Sequence, residues 1–353
     1  MAAVRGAFFA VAAFALWNTL RHAELGRAAA LALAIGAPVA LVALPHLVAM
    51  SLQATAYGRI LRVLRPGRPP SFLNLLSVLL STEAMLLALP GGQAIAETMN
   101  PYLLLRRCGV PLAEGLAAVA TKKSLIVFAN AIYIGVAVIA GGGYLRAASP
   151  ALLGAPGLPW LVAASGVALF LASVSFARVL LSGSVATRSH DLLRRLPSER
   201  LRRFLDARKA GFTAIDAHFS ELLRAGVPAL ASAAALMLAC WLVEGAEAWI
   251  ILRLLDVRIT YAQVLAIEVV VSFLRSLTFM VPAGLGVLDA GYVAFFGAFG
   301  VPDAATLGVA FVLVKRTKEV LWILVGFSLF LLLGDAPKSR DEDAMARDPS
   351  PTG

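Results

Sequence analysis

Two Pro-Gly breaks, about half a chain apart, constrain this sequence more than anything else in it. The first lies in Leu87-Ala88-Leu89-Pro90-Gly91-Gly92-Gln93-Ala94-Ile95-Ala96-Glu97. The second lies in Phe279-Met280-Val281-Pro282-Ala283-Gly284-Leu285-Gly286-Val287-Leu288-Asp289. Each interrupts an apolar segment and reaches a carboxylate seven residues after its proline. The match continues downstream, where Gly109-Val110-Pro111 answers Gly300-Val301-Pro302 and Lys122-Lys123 answers Lys315-Arg316. Upstream, Glu83 and Arg275 each stand seven residues before the proline. Matches that keep one order point to an internal duplication.

The segments around these breaks are long and apolar. Runs near the roughly 18–20 residues that cross about 30 Å of hydrocarbon recur along the whole length. Only 15% of the 353 residues are charged, against roughly 25% in soluble domains, and mean hydropathy is +0.83. The chain is therefore expected to be an all-α polytopic membrane protein. Its net charge of +10 does not imply nucleic acid, because Arg and Lys concentrate in short loops between apolar runs. That placement fits positive-inside topology and contact with anionic headgroups. Cys108 and Cys240 lie too far apart for a disulfide framework, and the scattered His22, His46, His190 and His218 have no metal-ligand spacing. Arg5 followed by apolar Gly6 to Trp17 resembles a signal peptide, but Asn18 to His22 offers no cleavage site, so an uncleaved first span is expected.

In chain order, residues 6–20 form a short first span and residues 28–58 a second, interrupted by Pro38 and Pro45 and so kinked or steeply tilted. Arg59, Arg62, Arg65 and Arg68 mark the cytoplasmic side. Residues 72–107 hold the first break and end on Arg106-Arg107, so the segment enters and leaves on one side, as a re-entrant hairpin or as two thin crossings. Residues 112–140 cross outward to Gly141-Gly142-Gly143, an outer loop follows to Pro159, and residues 160–182 return. The polar stretch from Ser184 to Gly226 places Leu201, Phe204, Leu205, Phe212, Ile215, Phe219 and Leu222 at helical spacing, with only Arg208 out of pattern. It reads as a basic amphipathic connector on the cytoplasmic surface, or as a lipid sensor. Residues 228–253 cross outward, 262–299 hold the second hairpin, and 303–333 cross inward.

The expected architecture is about six full spans plus two re-entrant Pro-Gly helical hairpins in an inverted-topology repeat. It comprises a first repeat (1–183), a connector (184–226), a second repeat (227–333) and a disordered tail (334–353). Both termini fall on the cytoplasmic side.

Charges inside the apolar spans each need a reason, at roughly 2.5–3.5 kcal/mol apiece on insertion scales. Lys122 and Lys123 come eleven and twelve residues after Pro111, about 17 Å into the bilayer at 1.5 Å per residue. Lys315 and Arg316 are equally deep. Glu268, Ser272 and Arg275 share a helical face, and Lys315 can reach Glu319. Glu244 and Glu247, one turn apart, call for a cation. Lys122, Lys123 and Arg316 have no evident partner on their own helix, which favours an anionic ligand over charge neutralisation between helices. The half-helices starting after Pro90-Gly91-Gly92 and Pro282-Ala283-Gly284 would present unpaired N–H groups, with Gln93, Gly286, Glu97 and Asp289 near those starts. The two carboxylates then either compensate the helix dipole or couple to protons. No HExxH, GxSxG or GxxxxGK[ST] motif occurs, and no cofactor is expected.

The run from Phe279 to Tyr292, with Gly300-Val301-Pro302 and Leu313-Val314-Lys315-Arg316, resembles the signature of the flippase-like superfamily named for the transmembrane region of lysylphosphatidylglycerol synthase. Lys122-Lys123-Ser124 and the overall length are similar to its stand-alone branch associated with hopanoid biosynthesis. The likeness covers roughly residues 5–333. It departs where the family carries Glu at Asp289 and Gly-Glu at Ala96-Glu97, and both changes keep the carboxylate. The synthase's soluble aminoacyl-transferase domain has no counterpart in this sequence, so lipid lysylation by the chain alone is not expected.

The resemblance implies an inner-membrane protein that moves an amphiphilic lipid, hopanoid or anionic, between leaflets or hands it to a lipid-biosynthetic enzyme. On that reading Lys122, Lys123, Arg275, Lys315 and Arg316 hold the head, while Glu97, Asp289, Glu244 and Glu247 balance charge. The alternatives are a membrane-embedded enzyme modifying a lipid headgroup and a scaffold for a lipid-synthesising enzyme.

Overall fold

The structure, a computed structural model, describes residues 14, 17, 20–195, 198–277 and 285–332, with side chains at 180, 181, 201, 204, 223, 225 and 275–277 outside that description. Among these residues all regular structure is helical. The first half contains α1 (Leu25–Ala34), a 3₁₀ turn (Ala37–Val42) running into α2 (Ala43–Leu64), α3 (Phe72–Ala88), α4 (Gly92–Cys108), α5 (Leu112–Leu153) and α6 (Leu158–Leu181). Three polar helices follow, α7 (Val185–Arg194), α8 (Glu199–Asp206) and α9 (Lys209–Ala225). The second half holds α10 (Val227–Leu254), α11 (Tyr261–Leu277), α12 (Val287–Ala298) and α13 (Ala304–Leu332).

Among the described residues, four helices are long and apolar enough to cross a membrane: 37–64, 112–153, 158–179 and 227–254. The 29 residues of α13 reach about 44 Å at 1.5 Å per residue, but Lys315, Arg316, Lys318 and Glu319 set it apart by composition. The hairpin limbs α3, α4 and α11 have 17 residues each and α12 has 12.

The direction of the two halves follows from contacts along α2 and α10, which pack closely on each other. Val63 lies against Gly226, at the start of α10, while Gln53 hydrogen-bonds to Cys240, well along it. The two helices therefore run antiparallel. The end of α2 is also the mouth of the first hairpin, since Arg65 donates to the Gly109 carbonyl at 2.6 Å and its Nε lies 3.5 Å from Glu114. The mouth of the second hairpin follows the far end of α10, whose 28 residues separate the two mouths by about 42 Å. The hairpins thus open at opposite ends of the bundle. Packing is exchanged in the same sense: α3 of the first hairpin lies on α13, and α11 of the second lies on α5.

Three details differ from the expectations. Gly36, at φ +60°, ends α1 and separates it from the 3₁₀ turn, with Pro38 in that turn and Pro45 in the first turn of α2. The span expected over 28–58 is therefore broken and not merely kinked. The outer loop expected after Gly141-Gly142-Gly143 is helix, because α5 runs unbroken for 42 residues. Gly141 is the contact that holds it there: a Cβ at this position would come within 2.9 Å of the Ala262 carbonyl and 3.0 Å of Ala266 on α11. The connector forms three helices, and Arg208 is out of pattern because it is the N-cap of α9, where one amphipathic face ends and another begins. Buried Asp216 of α9 ties the segment together by accepting from the Ala186 and Thr187 backbone N–H groups at the start of α7, at 2.8 and 3.0 Å. Leu205, Phe219 and Leu222 are buried beneath it. The expected tail and most of the first span, 6–20, lie outside the described residues.

Candidate functional site

The first hairpin turns on Pro90-Gly91-Gly92. Gly91 has φ +68°, which glycine adopts without strain. A Cβ on Gly92 would meet the Met85 and Leu86 carbonyls at 2.4 and 2.5 Å, so α3 and α4 meet closely only with glycine there. Of the second tip, Pro282 and Gly284 lie outside the described residues, as does the side chain of Arg275. Gly286 is described: at φ +82° it caps α12, and its N–H donates to Asp289 Oδ2 at 2.9 Å.

Asp289 therefore stands in the first turn of its half-helix, where its charge meets the positive end of the dipole. Glu97 does not, because α4 begins at Gly92 and places Glu97 beyond the first turn. The equal spacing from proline to carboxylate conceals helices that start at different points.

What the two carboxylates share is a cation. Lys123 Nζ lies 2.8 Å from Glu97 Oε1, which also accepts from Gln93 Nε2 at 2.8 Å. Arg316 lies 2.7 Å from Asp289 Oδ1 and 2.5 Å from Glu319 Oε2. The pairs occupy matching positions of the duplication, each joining the second limb of a hairpin to the helix after it. The preceding lysines match as well: Lys122 Nζ sits 4.9 Å above the Tyr57 ring and Lys315 Nζ 5.2 Å above the Tyr292 ring, cation–π contacts in both halves. Tyr57 donates to Asn100 Oδ1 at 2.9 Å and Tyr292 to Glu268 Oε1 at 2.7 Å.

Several expected pairings change partners. Arg316 has a carboxylate on its own helix after all, Glu319, the group assigned from spacing to Lys315. Lys315 turns instead toward Glu247 Oε1 at 3.5 Å, and Lys318 reaches Glu247 Oε2 at 2.9 Å. Glu244 and Glu247, one turn apart, face different surroundings. Glu247 is buried between the two lysines, whereas Glu244 lines a small pocket with Tyr133, Trp241, Gly245, Glu268 and Ser272. Cys240 extends that polar line toward α2, donating from Sγ to Glu244 Oε1 at 3.7 Å while accepting from Gln53 at 3.5 Å.

The two equivalent pairs differ in access. The side chains of Lys123 and Glu97 are 43% and 33% exposed, those of Arg316 and Asp289 only 19% and 6%. Beside Lys315 in the second half, Tyr292 and Phe311 pack with Phe296 in a buried aromatic cluster, while Ile95 and Tyr102 on α4 are exposed. Among the described residues no group of three or more His, Cys, Asp and Glu could hold a metal ion.

The model of the lysylphosphatidylglycerol synthase TM region matches residues 3–326. The chain belongs to that family. No curated protein and no solved structure gives a significant match. As a member of the lysylphosphatidylglycerol synthase TM family, the chain carries its charged constellation within the matched region.

Sequence reasoning missed Tyr57, Asn100, His46 and Trp322. Asn100, a buried amide beside Pro101 in α4, was a visible signal. His46, whose ring lies 4.9 Å from that of Trp322, had none, since a lone histidine in an apolar helix indicates no partner.

Proposed function

We propose that the chain is a carrier that moves an amphiphilic lipid between the leaflets of the inner membrane, or presents it to a lipid-biosynthetic enzyme, and that it catalyses no covalent step. It is built as two inverted copies with re-entrant hairpins, and both termini are cytoplasmic. One observation carries this reading: the same ion pair recurs at matching positions of the two halves, open in one and closed in the other. A carrier with inverted repeats needs this relation, because exchanging the conformations of its halves exposes a midplane site first to one side and then to the other.

Charge placement supports the orientation. The end of the bundle at the first hairpin mouth holds Arg59, Arg62, Arg65, Arg68, Arg106 and Arg107 together with the basic helices α7–α9. The opposite end has fewer basic residues, Arg27 among them, and Arg27 is paired with Asp303 at 2.9 Å. By the positive-inside rule the first end faces the cytoplasm. A hopanoid is one substrate to try first, on the strength of Lys122-Lys123-Ser124.

The scaffold alternative draws support from the enclosed charges around Glu247, which pair with one another. It expects both halves to be sealed in the same way, and the exposed Lys123–Glu97 pair weighs against it. The deciding experiment is leaflet-resolved lipid transfer in proteoliposomes. The wild-type chain should transfer lipid, and Lys123→Ala combined with Arg316→Ala should lower the rate at least about tenfold, the loss of roughly 1.4 kcal/mol of barrier lowering. An unchanged rate in the double variant would remove the carrier reading.

A further inference from the structure

We infer that His46 and Glu247 form a proton-binding site through which a proton gradient drives the lipid carrier. The driving rests on the carrier reading, whereas the proton site stands without it.

Register places the two residues together. Gln53 of α2 hydrogen-bonds to Cys240 of α10 across antiparallel helices. Seven residues make about two turns, and they lead from Gln53 back to His46 and from Cys240 forward to Glu247. The second couple therefore faces as the first does. Both members are shut in, His46 at 6% and Glu247 at 3% exposure. Among the described residues, His46 Nε2 and Glu247 Oε1 each lack a hydrogen bond. Buried polar atoms in that state are rare and call for a role. These two become complementary once a proton is added. A hydronium gives its proton to the Nε2 lone pair of the Nδ1–H tautomer, no bond in the protein breaks, and Nε2–H then donates to Oε1. Release returns the proton to water.

The consequence lies in what Glu247 already holds. Its Oε1 is 3.5 Å from Lys315 and its Oε2 2.9 Å from Lys318, both on α13. Arg316, between them in the chain, bonds Glu319 and keeps the closed pair with Asp289. Protonated His46 competes with Lys315 for Oε1, draws Glu247 toward α2 and loosens α13, so proton uptake favours opening of the closed half. The charged groups facing His46 are Glu247 from α10 and Lys318 and Lys315 from α13. Of the other elements on α2, the 3₁₀ turn has no charged residue and α3 has one, Glu83. Lys122 of α5 sits over Tyr57, eleven residues and about 16 Å farther along α2. The charges of α9 lie at the far end, where Val63 meets Gly226. Trp322, one turn after Lys318, has its ring 4.9 Å from that of His46, so the histidine already touches the helix that moves.

The test begins with the full chain in detergent and ¹³C-labelled histidine, the His46 NMR signal being the one lost in His46→Gln. That signal should report protonation as the pH falls from about 7.5 to about 4.5, still above the ordinary carboxylate range. Amide exchange in α13 from Lys315 to Trp322, corrected for intrinsic rates, should rise at least about threefold over the same interval as local opening becomes easier. His46→Gln should abolish that rise, and His46→Phe, which keeps a ring beside Trp322, should do so if the first variant fails to fold. In proteoliposomes with fluorescent phosphatidylglycerol or phosphatidylethanolamine, an imposed pH gradient should speed wild-type leaflet transfer at least about threefold over the rate after a protonophore collapses it, a population shift that both variants should lack. A His46 that stays neutral down to about pH 4.5, or an α13 response that persists in the variants, overturns the proton site. Transfer indifferent to the gradient, with the site titrating, overturns the driving. Titration and the α13 response without transfer of either lipid remove the carrier reading and leave the proton site in place.

Discussion

Lys122 and Lys123 are neighbours in the chain but face different surroundings, one buried over Tyr57 and the other half exposed at Glu97. Consecutive residues on a helix point about 100° apart, so a pair of adjacent lysines serves two environments by construction, and Lys315 and Arg316 repeat the arrangement. From sequence, the placement of these charges within apolar helices was legible and their partners were not. Spacing rules reach only three or four residues along one helix, whereas Lys123 finds Glu97 26 residues away and Lys318 finds Glu247 71 away. Burial then sets what each pair contributes. Glu247 is enclosed with Lys315 and Lys318, so Glu247→Gln strands two cations and should cost about 3–5 kcal/mol, the range for breaking a buried pair. Glu97→Gln removes a carboxylate from a half-exposed pair and should cost no more than about 1 kcal/mol. Thermal unfolding in detergent measures both. Equal losses would show that the two sites are screened alike, contrary to their exposures.

At the scale of helices, Gly141-Gly142-Gly143 shows why a motif read alone misleads. Three glycines look like a loop because each costs about 1 kcal/mol in a helix relative to alanine. Here α5 continues through them, since Gly141 brings it against Ala262 and Ala266 of α11, a long-range contact that local pattern does not reveal. At 42 residues the helix measures about 63 Å, roughly twice the hydrocarbon thickness, so part of it extends beyond the bilayer. The neighbouring glycines have no such contact, with nothing within 4 Å of a Cβ placed at Gly142. Adjacent substitutions should therefore act in opposite directions. Gly142→Ala should raise stability by about 0.5–1 kcal/mol through helix propensity. Gly141→Ala should lower it by about 1–3 kcal/mol through overpacking. Melting curves of the two variants against wild type decide the matter, and a loss in both would mean that the triplet needs flexibility and not merely close approach. The connector was the opposite case: its amphipathic spacing was legible, and its one irregular residue, Arg208, marked the helix boundary.

For the whole molecule, the duplicated order of motifs indicated two related halves, and charge counting indicated how they face. What sequence lacked was a contact between the halves, and α2 against α10 supplies it. Val63 beside Gly226, with Gln53 beside Cys240, makes equivalent spans antiparallel and places the hairpin mouths at opposite ends of α10. The loops feeding the hairpins, around Gly67 in the first half and Arg258 in the second, then lie on opposite faces of any membrane that the bundle crosses. This is measurable without a substrate. In a background with Cys108→Ser and Cys240→Ser, single cysteines at Gly67→Cys and Arg258→Cys should react with a membrane-impermeant maleimide from opposite sides. With the first mouth cytoplasmic, Gly67→Cys should label only in inside-out vesicles or after permeabilisation, and Arg258→Cys should label in right-side-out vesicles. A cysteine on the polar helix α9, at exposed Lys209, should follow Gly67, because α9 leads directly into the α10 end that packs beside Val63. Labelling of both hairpin loops from one side would contradict the antiparallel packing, and with it the exchange of open and closed halves that the proposed carrier requires.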